Sequence, residues 1–338
     1  MSNKVEPSVA ADAAPAEGKE KRNLSELLRS SLQQGLAFGT LIALVIFFAI
    51  ASPNFFQWSN ISGVLLSTAV IGVLAVGTTL VIITGGIDLS IGTGMTFTAV
   101  ITGIVITNLG MPMWLGVLAG ILTGGAMGAI NGINIVFLKL PPFIATLAMM
   151  MITQGLALVI SGVKPVYIQV DGFKNIALGE WIPGFPNAVL ILFACAIVTS
   201  VLLTKTILGR YTFAIGSNEE ATRLSGINTA KWKILIYATA GLFTGIAGVV
   251  LASRLGSAQP QLGTGYELQA IAAVVIGGTS MLGGRGSILG TLIGALVMSV
   301  LINGLRILSI QTEWQNVVVG VVILIAVFTD SLRKGKGA

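Results

Sequence analysis

The sequence predicts an all-α polytopic membrane protein of about ten transmembrane helices, and three observations carry that prediction. Of its 338 residues, 54% are hydrophobic and only 9% are charged, whereas soluble domains carry roughly a quarter charged residues. Apolar runs recur from residue 36 to residue 329, with no polar block long enough to fold by itself. A hydrocarbon core of roughly 30 Å takes about 20 apolar residues per helix, with roughly 17 to 25 the working range, and ten segments approach that requirement.

The spans lie near Leu36 to Ala51, Ile61 to Thr84, Leu89 to Leu109, Trp114 to Phe137, Phe143 to Ile160, Ala188 to Leu203, Ile234 to Ala252, Leu268 to Ile276 with its flanks, Ile288 to Leu305 and Val317 to Phe328. The first, eighth and tenth are short. Ahead of them, residues 1–34 are rich in Ala, Glu, Lys, Ser and Pro, which reads as a disordered cytoplasmic tail. No apolar core follows a short basic stretch near the N-terminus, so the pattern of a cleaved signal peptide is missing. Residues 35–330 then form one transmembrane domain, interrupted by a polar loop at 205–233, and 331–338 form a second short cytoplasmic tail. With both termini inside, fifteen of the 19 basic residues fall on the cytoplasmic side and only Lys164, Lys174, Arg254 and Arg306 fall outside. That distribution is what the positive-inside rule requires of an even span count. It also explains the net charge of +6 better than nucleic-acid binding, because the cations do not gather on one stripe.

Composition also removes most catalytic chemistry. There is no His, and the single Cys195 lies within the apolar run from Ala188 to Leu203. Ser-His and Cys-His nucleophilic pairs, His-bearing zinc sites and thiolate clusters need residue types that are absent or single here. No catalytic residue, metal site or cofactor is expected. No Gly-x4-Gly-Lys-Ser/Thr loop occurs, and Gly283-Gly-Arg-Gly286 lacks the lysine. Energy from ATP has to enter through another chain.

Glycines in the fourth span recur every fourth residue, at Gly116, Gly120, Gly124, Gly128 and Gly132, and a shorter ladder follows at Gly286, Gly290 and Gly294. Such smooth stripes let another helix approach closely, either within one chain or across a subunit interface. Ile91-Gly-Thr-Gly-Met95 and Leu262-Gly-Thr-Gly-Tyr266 resemble each other across five spans, which places them on opposite sides. An odd number of spans per unit is what an inverted repeat requires, and Gly-interrupted segments then flank the substrate path.

Few polar residues sit at membrane depth. Asp88, in Gly85-Gly-Ile-Asp-Leu-Ser-Ile-Gly92, stands where one span ends and the next begins. An acid there is a functional suspect, and Asp88 or Ser90 is equally placed to N-cap the third span. Thr264-Gly-Tyr-Glu267 fits a capping box, with Thr264 as N-cap and Glu267 reaching back. Just before it, Ser257, Gln259 and Gln261 offer neutral donors and acceptors on the outer side, suited to hydroxyl-rich ligands or to plain loop solvation. Within 205–233, Asn218-Glu-Glu-Ala-Thr-Arg-Leu-Ser225 reads as a short helix capped by Asn218 or Ser217 and ended by Gly226. It serves either as a docking element or as a connection.

Several of these stretches together resemble the permease subunits of bacterial ABC importers for ribose and related monosaccharides. They are Gly85 to Gly92, Gly216-Ser-Asn-Glu-Glu-Ala-Thr-Arg-Leu-Ser-Gly-Ile227, Ser257-Ala-Gln-Pro260, Gly263-Thr-Gly-Tyr-Glu267 and Val275-Ile-Gly-Gly-Thr-Ser280. The likeness spans roughly Ser52 to Asp330. It implies a type II ABC importer architecture in the bacterial inner membrane: two permease subunits, identical or closely related, a cytoplasmic ATPase, and a periplasmic or extracytoplasmic sugar-binding protein. It further implies that Gly216, Asn218, Glu219, Ala221, Arg223 and Gly226 belong to the coupling helix that meets the ATPase, and that transport proceeds by alternating access. Asp88, Ser90, Gln259 and Thr264 are the candidates for the translocation pathway. Three rivals stand beside this reading: a secondary sugar transporter, which would carry more intramembrane carboxylates or His for ion coupling, a passive channel, which would transport without any ATPase, and an ABC permease for another small polar solute such as an amino acid.

Overall fold

The computed structural model describes residues 35–334, so the predicted tail at 1–34 lies outside the described residues. Each of the ten predicted spans is a helix. In chain order they are α1 (Gly35–Ala51), α2 (Trp58–Ile83), α3 (Ile91–Thr107), α4 (Met113–Phe137), α5 (Pro142–Ser161), α7 (Asn187–Lys205), α10 (Thr229–Leu255), α11 (Tyr266–Ile276), α12 (Ile288–Ile307) and α13 (Thr312–Lys334). Six of these, α2, α4, α5, α7, α10 and α12, are long and apolar enough to cross a bilayer. Three short helices complete the chain: α6 (Asn175–Leu178) between α5 and α7, and α8 (Ile207–Ser217) and α9 (Glu219–Leu224) between α7 and α10. A two-residue antiparallel ladder joins β1 (Val166–Tyr167) to β2 (Ser257–Ala258).

Local chemistry sets many of the boundaries. Pro141 and Pro142 open α5, where the missing N–H is no loss, and Gly162 closes it in the left-handed region at φ 63°. The side chain of Asn228 accepts from the Lys231 N–H to start α10. Two sequence expectations shift. The loop at 205–233 is almost wholly helical, since α8, α9 and the first turn of α10 occupy it. The tail expected from residue 331 begins inside α13, which runs on to Lys334.

α2 is the axis of the bundle. Every residue from Thr68 to Ile83 is buried, as expected of a helix that is apolar all round and surrounded by others. It packs against α10, α12, α7 and α11. The glycine ladder of α4 serves two neighbours of the same chain. Gly116 and Gly120 admit Ile106 and Thr102 of α3, while Gly124, Gly128 and Gly132 lie against Gly241, Tyr237 and Ile234 of α10. Rising numbers on α4 meet falling numbers on α10, so the pair is antiparallel. The second ladder acts likewise, with Gly290 and Gly294 seated on the carbonyls of Gly277 and Ala273 at the α11 interface. Both ladders therefore pack helices within one chain. Lipid tails are as apolar as the side chains, so this close van der Waals contact holds the helices together.

A side chain at Gly128 has no room, because its β-carbon would fall on the Tyr237 carbonyl. Gly128→Val is expected to cost about 1–3 kcal/mol through overpacking, lowering the unfolding temperature in detergent by roughly 2–10 °C. Gly155→Val on α5, where nothing lies within 4 Å, should leave that temperature nearly unchanged. Equal shifts for the two variants would remove α4–α10 packing as the cause.

Candidate translocation site and cytoplasmic docking element

Two of the helices begin inside the bundle. α3 runs parallel to α10, with Gly94 against the Thr244 side chain and Gly248 against Met95 and Thr98. Its first turn therefore lies opposite the middle of the 27-residue α10. α11 has only eleven residues, rising about 16 Å, or half a hydrocarbon core. Within the eighth span the helix alone is short of a crossing, and its flank from Gln259 to Gly265 is nonhelical. That stretch leaves the β1–β2 ladder and brings Gly263 onto the backbone of Gly92, so that the two Gly-Thr-Gly segments meet. A β-carbon on Gly92 would sit 2.5 Å from the Gly263 carbonyl oxygen, and one on Gly263 would strike the Gly92 carbonyl. Only hydrogen fits between these chains.

The two helix starts differ from the caps expected of them. Neither Asp88 nor Ser90 caps α3. Ser90 takes helical dihedrals, φ −79° and ψ −9°, and makes no side-chain cap bond. Instead its own N–H and Oγ–H both donate to Asp88 Oδ1, at 2.9 and 2.6 Å. Asp88 stands three residues before the first residue of the helix, so the turn folds its carboxylate onto Ser90 and short of the free N–H groups of the first turn. Asn131 of α4 then donates from Nδ2 to Ser90 Oγ at 2.9 Å. Thr264 does not cap α11 either. Gly265 holds the cap position at φ 95°, which glycine adopts without strain, and this moves the helix start one residue along. Glu267 does reach back, accepting from the Gly265 N–H at 3.0 and 3.1 Å.

Asp88 is 2% exposed and Glu267 7%, and among the described residues no salt bridge reaches either. Both carboxylates are instead held by nearby N–H and O–H groups at helix starts, where the peptide dipoles favour negative charge. Two further groups crowd this centre. The Tyr237 hydroxyl of α10 packs on Gly86, and it and Asn131 Oδ1 are buried without a hydrogen-bond partner. Sequence reasoning passed over both. Its available signal for Asn131 was an amide set between Gly128 and Gly132 of the ladder; Tyr237, within an apolar run, gave none.

The pathway candidates thus divide. Asp88 and Ser90 are buried together, whereas Gln259 and Thr264 are exposed on the descending segment. Gln259, Gln261 and Leu262 line a cleft of about 360 Å³ against Leu158, Val163 and Pro165 at the end of α5.

At the opposite end of α10 lies α9. Asn218 caps it, accepting at Oδ1 from the Ala221 N–H at 2.9 Å, and Gly226 turns the chain at φ 83°. Asn218, Glu219, Ala221, Arg223 and Gly226 are all exposed. Glu219 pairs with Lys233 at 2.6 Å and Glu220 with Arg223 at 2.7 Å, and the hydrogen bond that Arg223 donates to Glu220 raises the Arg223 pKa above its ordinary value. Leu224 projects 77% exposed beside them. Gly216 parts from this group: it is wedged against the Ile83 carbonyl at the end of α2.

The family model described as "branched-chain amino acid transport system / permease component" matches residues 60–327. Among curated proteins, the chain is 43% identical to the ribose import permease protein RbsC of Escherichia coli (strain K12), over 87% of this chain and 94% of that protein. It is 44% identical to the Bacillus subtilis (strain 168) ribose import permease protein RbsC, over 86% and 90% of the two chains. Against the L-arabinose transport system permease protein AraH of Escherichia coli (strain K12) the identity is 39%, over 88% and 91%. No solved structure matches. A match over most of its length to that model and to named permeases, joined to ten apolar helices, shows that the chain belongs to the branched-chain amino acid transport system permease family, as a membrane-spanning transporter component and not an enzyme.

Proposed function

We propose that this chain is the permease subunit of an ATP-driven importer that moves a monosaccharide, ribose or a similar sugar, into the cytoplasm by alternating access. The observation that carries this reading is the 39–44% identity to ribose and arabinose permeases along nearly the whole chain. The residues on the descending segment fit it. Gln259, Gln261 and Thr264 are neutral and polar, and they belong to the stretch that reaches Gly92 in the bundle interior. Polar groups facing hydrocarbon are costly, so these face a watery path between this chain and a second permease, a second copy or close relative. Neutral amides and hydroxyls pair with sugar hydroxyls and hold them weakly, leaving selectivity to the extracytoplasmic binding protein.

On the cytoplasmic side α9 is the docking element for the ATPase. Exposed charges surround an exposed leucine on a helix capped at one end and turned by glycine at the other. Closure of the ATPase pair would push on two such helices and rock the permeases about Gly92 and Gly263. The orientation follows: α9 inside, both termini cytoplasmic, with most basic residues on that side. A secondary transporter would need ion-coupling groups free to load and release, whereas Asp88 and Glu267 are buried and already hydrogen-bonded. An amino-acid substrate, suggested by the family's description alone, would call for charged partners for its ammonium and carboxylate, and the cleft residues are uncharged.

In proteoliposomes holding the chain, its ATPase and its binding protein, ribose uptake should require ATP. Glu219→Ala with Arg223→Ala should lower uptake by about tenfold or more while hydrolysis continues. Uptake without any ATPase would refute the importer reading, and silent substitutions would refute the docking role of α9. Asn131→Ala removes the donor to Ser90 and should slow uptake several-fold at unchanged ATPase assembly, since a buried hydrogen bond is worth roughly 1 kcal/mol. Normal uptake by Asn131→Ala would separate the Asp88 centre from transport.

A further inference from the structure

Three segments meet under the bundle, backbone against backbone at their glycines. They are the end of α2 with its turn (Ile83 to Gly85), the end of α8 (Gly216 and Ser217) and the loop before α12 (Leu282 to Gly284). The Gly284 N–H donates to the Ile83 carbonyl at 2.8 Å. A β-carbon on Gly216 would collide with that same carbonyl and lie 2.6 Å from the Gly284 nitrogen. One on Gly283 would sit 2.7 Å from the Gly216 carbonyl and 2.9 Å from the Gly85 nitrogen. The loop is itself closed by bonds from Gly283 N–H to the Ser280 carbonyl and from Ser280 N–H to the Arg285 carbonyl, both 3.1 Å, and Thr279 and Ser280 are buried.

At Gly216, Gly283 and Gly284 the nearest atoms are backbone, the Ile83 side chain that packs on Gly286 is fully buried, and packed interiors resist compression. α9 is also tied to α10, by the short connection at 225–228 and by the Glu219–Lys233 pair, which is partly exposed and long-stemmed and worth roughly 0–1 kcal/mol in that setting. The glycine contact is the route by which movement of α9 reaches the end of α2. Beyond Ile83, five residues lead to Asp88 and eight to Ile91, where α3 begins.

Resting on the reading of α9 as the ATPase docking helix, we propose that Gly216, Gly283 and Gly284 are positioning residues of the transport cycle. They form an incompressible joint that fuses α8–α9, the end of α2 and the α11–α12 loop into one body. That body delivers the displacement of α9 to the 84–90 turn, and so to the meeting of α3 with α11.

Hydrogen exchange on the assembled importer in lipid nanodiscs, with and without a nonhydrolysable ATP analogue, tests this. The Gly284 amide lies in the joint, so a peptide over 281–286 should keep its protection in both states, while exchange over 84–92 should change by about threefold or more. Gly216→Ala should abolish the change at 84–92 and lower uptake by about tenfold, with co-purification of the ATPase retained. Opening of 281–286 with nucleotide, or a persisting change at 84–92 in Gly216→Ala, overturns the joint; the wild-type measurement decides alone if that variant does not assemble. Protection of 217–227 on adding the ATPase, with 84–92 unmoved, removes the joint and keeps the docking reading. Absence of that protection removes both.

Discussion

Within hydrocarbon no water is available to satisfy a backbone N–H or carbonyl, and each group left bare costs several kcal/mol. This chain starts two helices, α3 and α11, inside its bundle, and both nonhelical approaches must meet that constraint with their own atoms. They do so in similar ways. Asp88 accepts from Ser90, and Glu267 accepts from Gly265. Each carboxylate lies near the start of a helix, and Asn131 ties the first centre to α4. The two buried acids are thus explained first as the means by which irregular backbone is tolerated there.

Glycine makes the second half of that arrangement. Gly92 and Gly263 let the two approaches touch backbone to backbone, and Gly216, Gly283 and Gly284 do the same at the end of α2 next to α8. Between them, α4 and α10 are held by Gly124, Gly128 and Gly241 at a distance that no larger residue permits. The result is a bundle in which the starts of α3 and α11, the α4–α10 pair and the end of α2 are all held by close backbone contacts at glycines.

Several features were legible from residue types and spacing. The ten helices follow from apolar runs, and the cap of α9 follows from Asn218 and Gly226. The starts of α3 and α11 were misread for a common reason: a capping pattern records which side chain stands near a helix, whereas the dihedrals of the preceding turn decide which N–H it reaches. Gly265 at φ 95° moves the start of α11 by one residue, and the turn at Asp88 aims its carboxylate at Ser90. The resemblance groups Gly216 with the coupling residues as the start of one motif, while its neighbours in space are Ile83 and Gly284.

By itself the sequence determined what the bilayer demands: apolar length, helical state, the clearance of catalytic residue types, and the stripes along which helices could approach. Those properties are local, because each helix must satisfy its own backbone and cover its own apolar surface. Tertiary structure alone decided which surfaces those stripes would meet, that the two Gly-Thr-Gly segments touch, that α11 covers only half a crossing, and that Asn131 and Tyr237 stand beside Asp88. These depend on contacts between residues far apart in the chain, and a glycine records only that something comes close, not what.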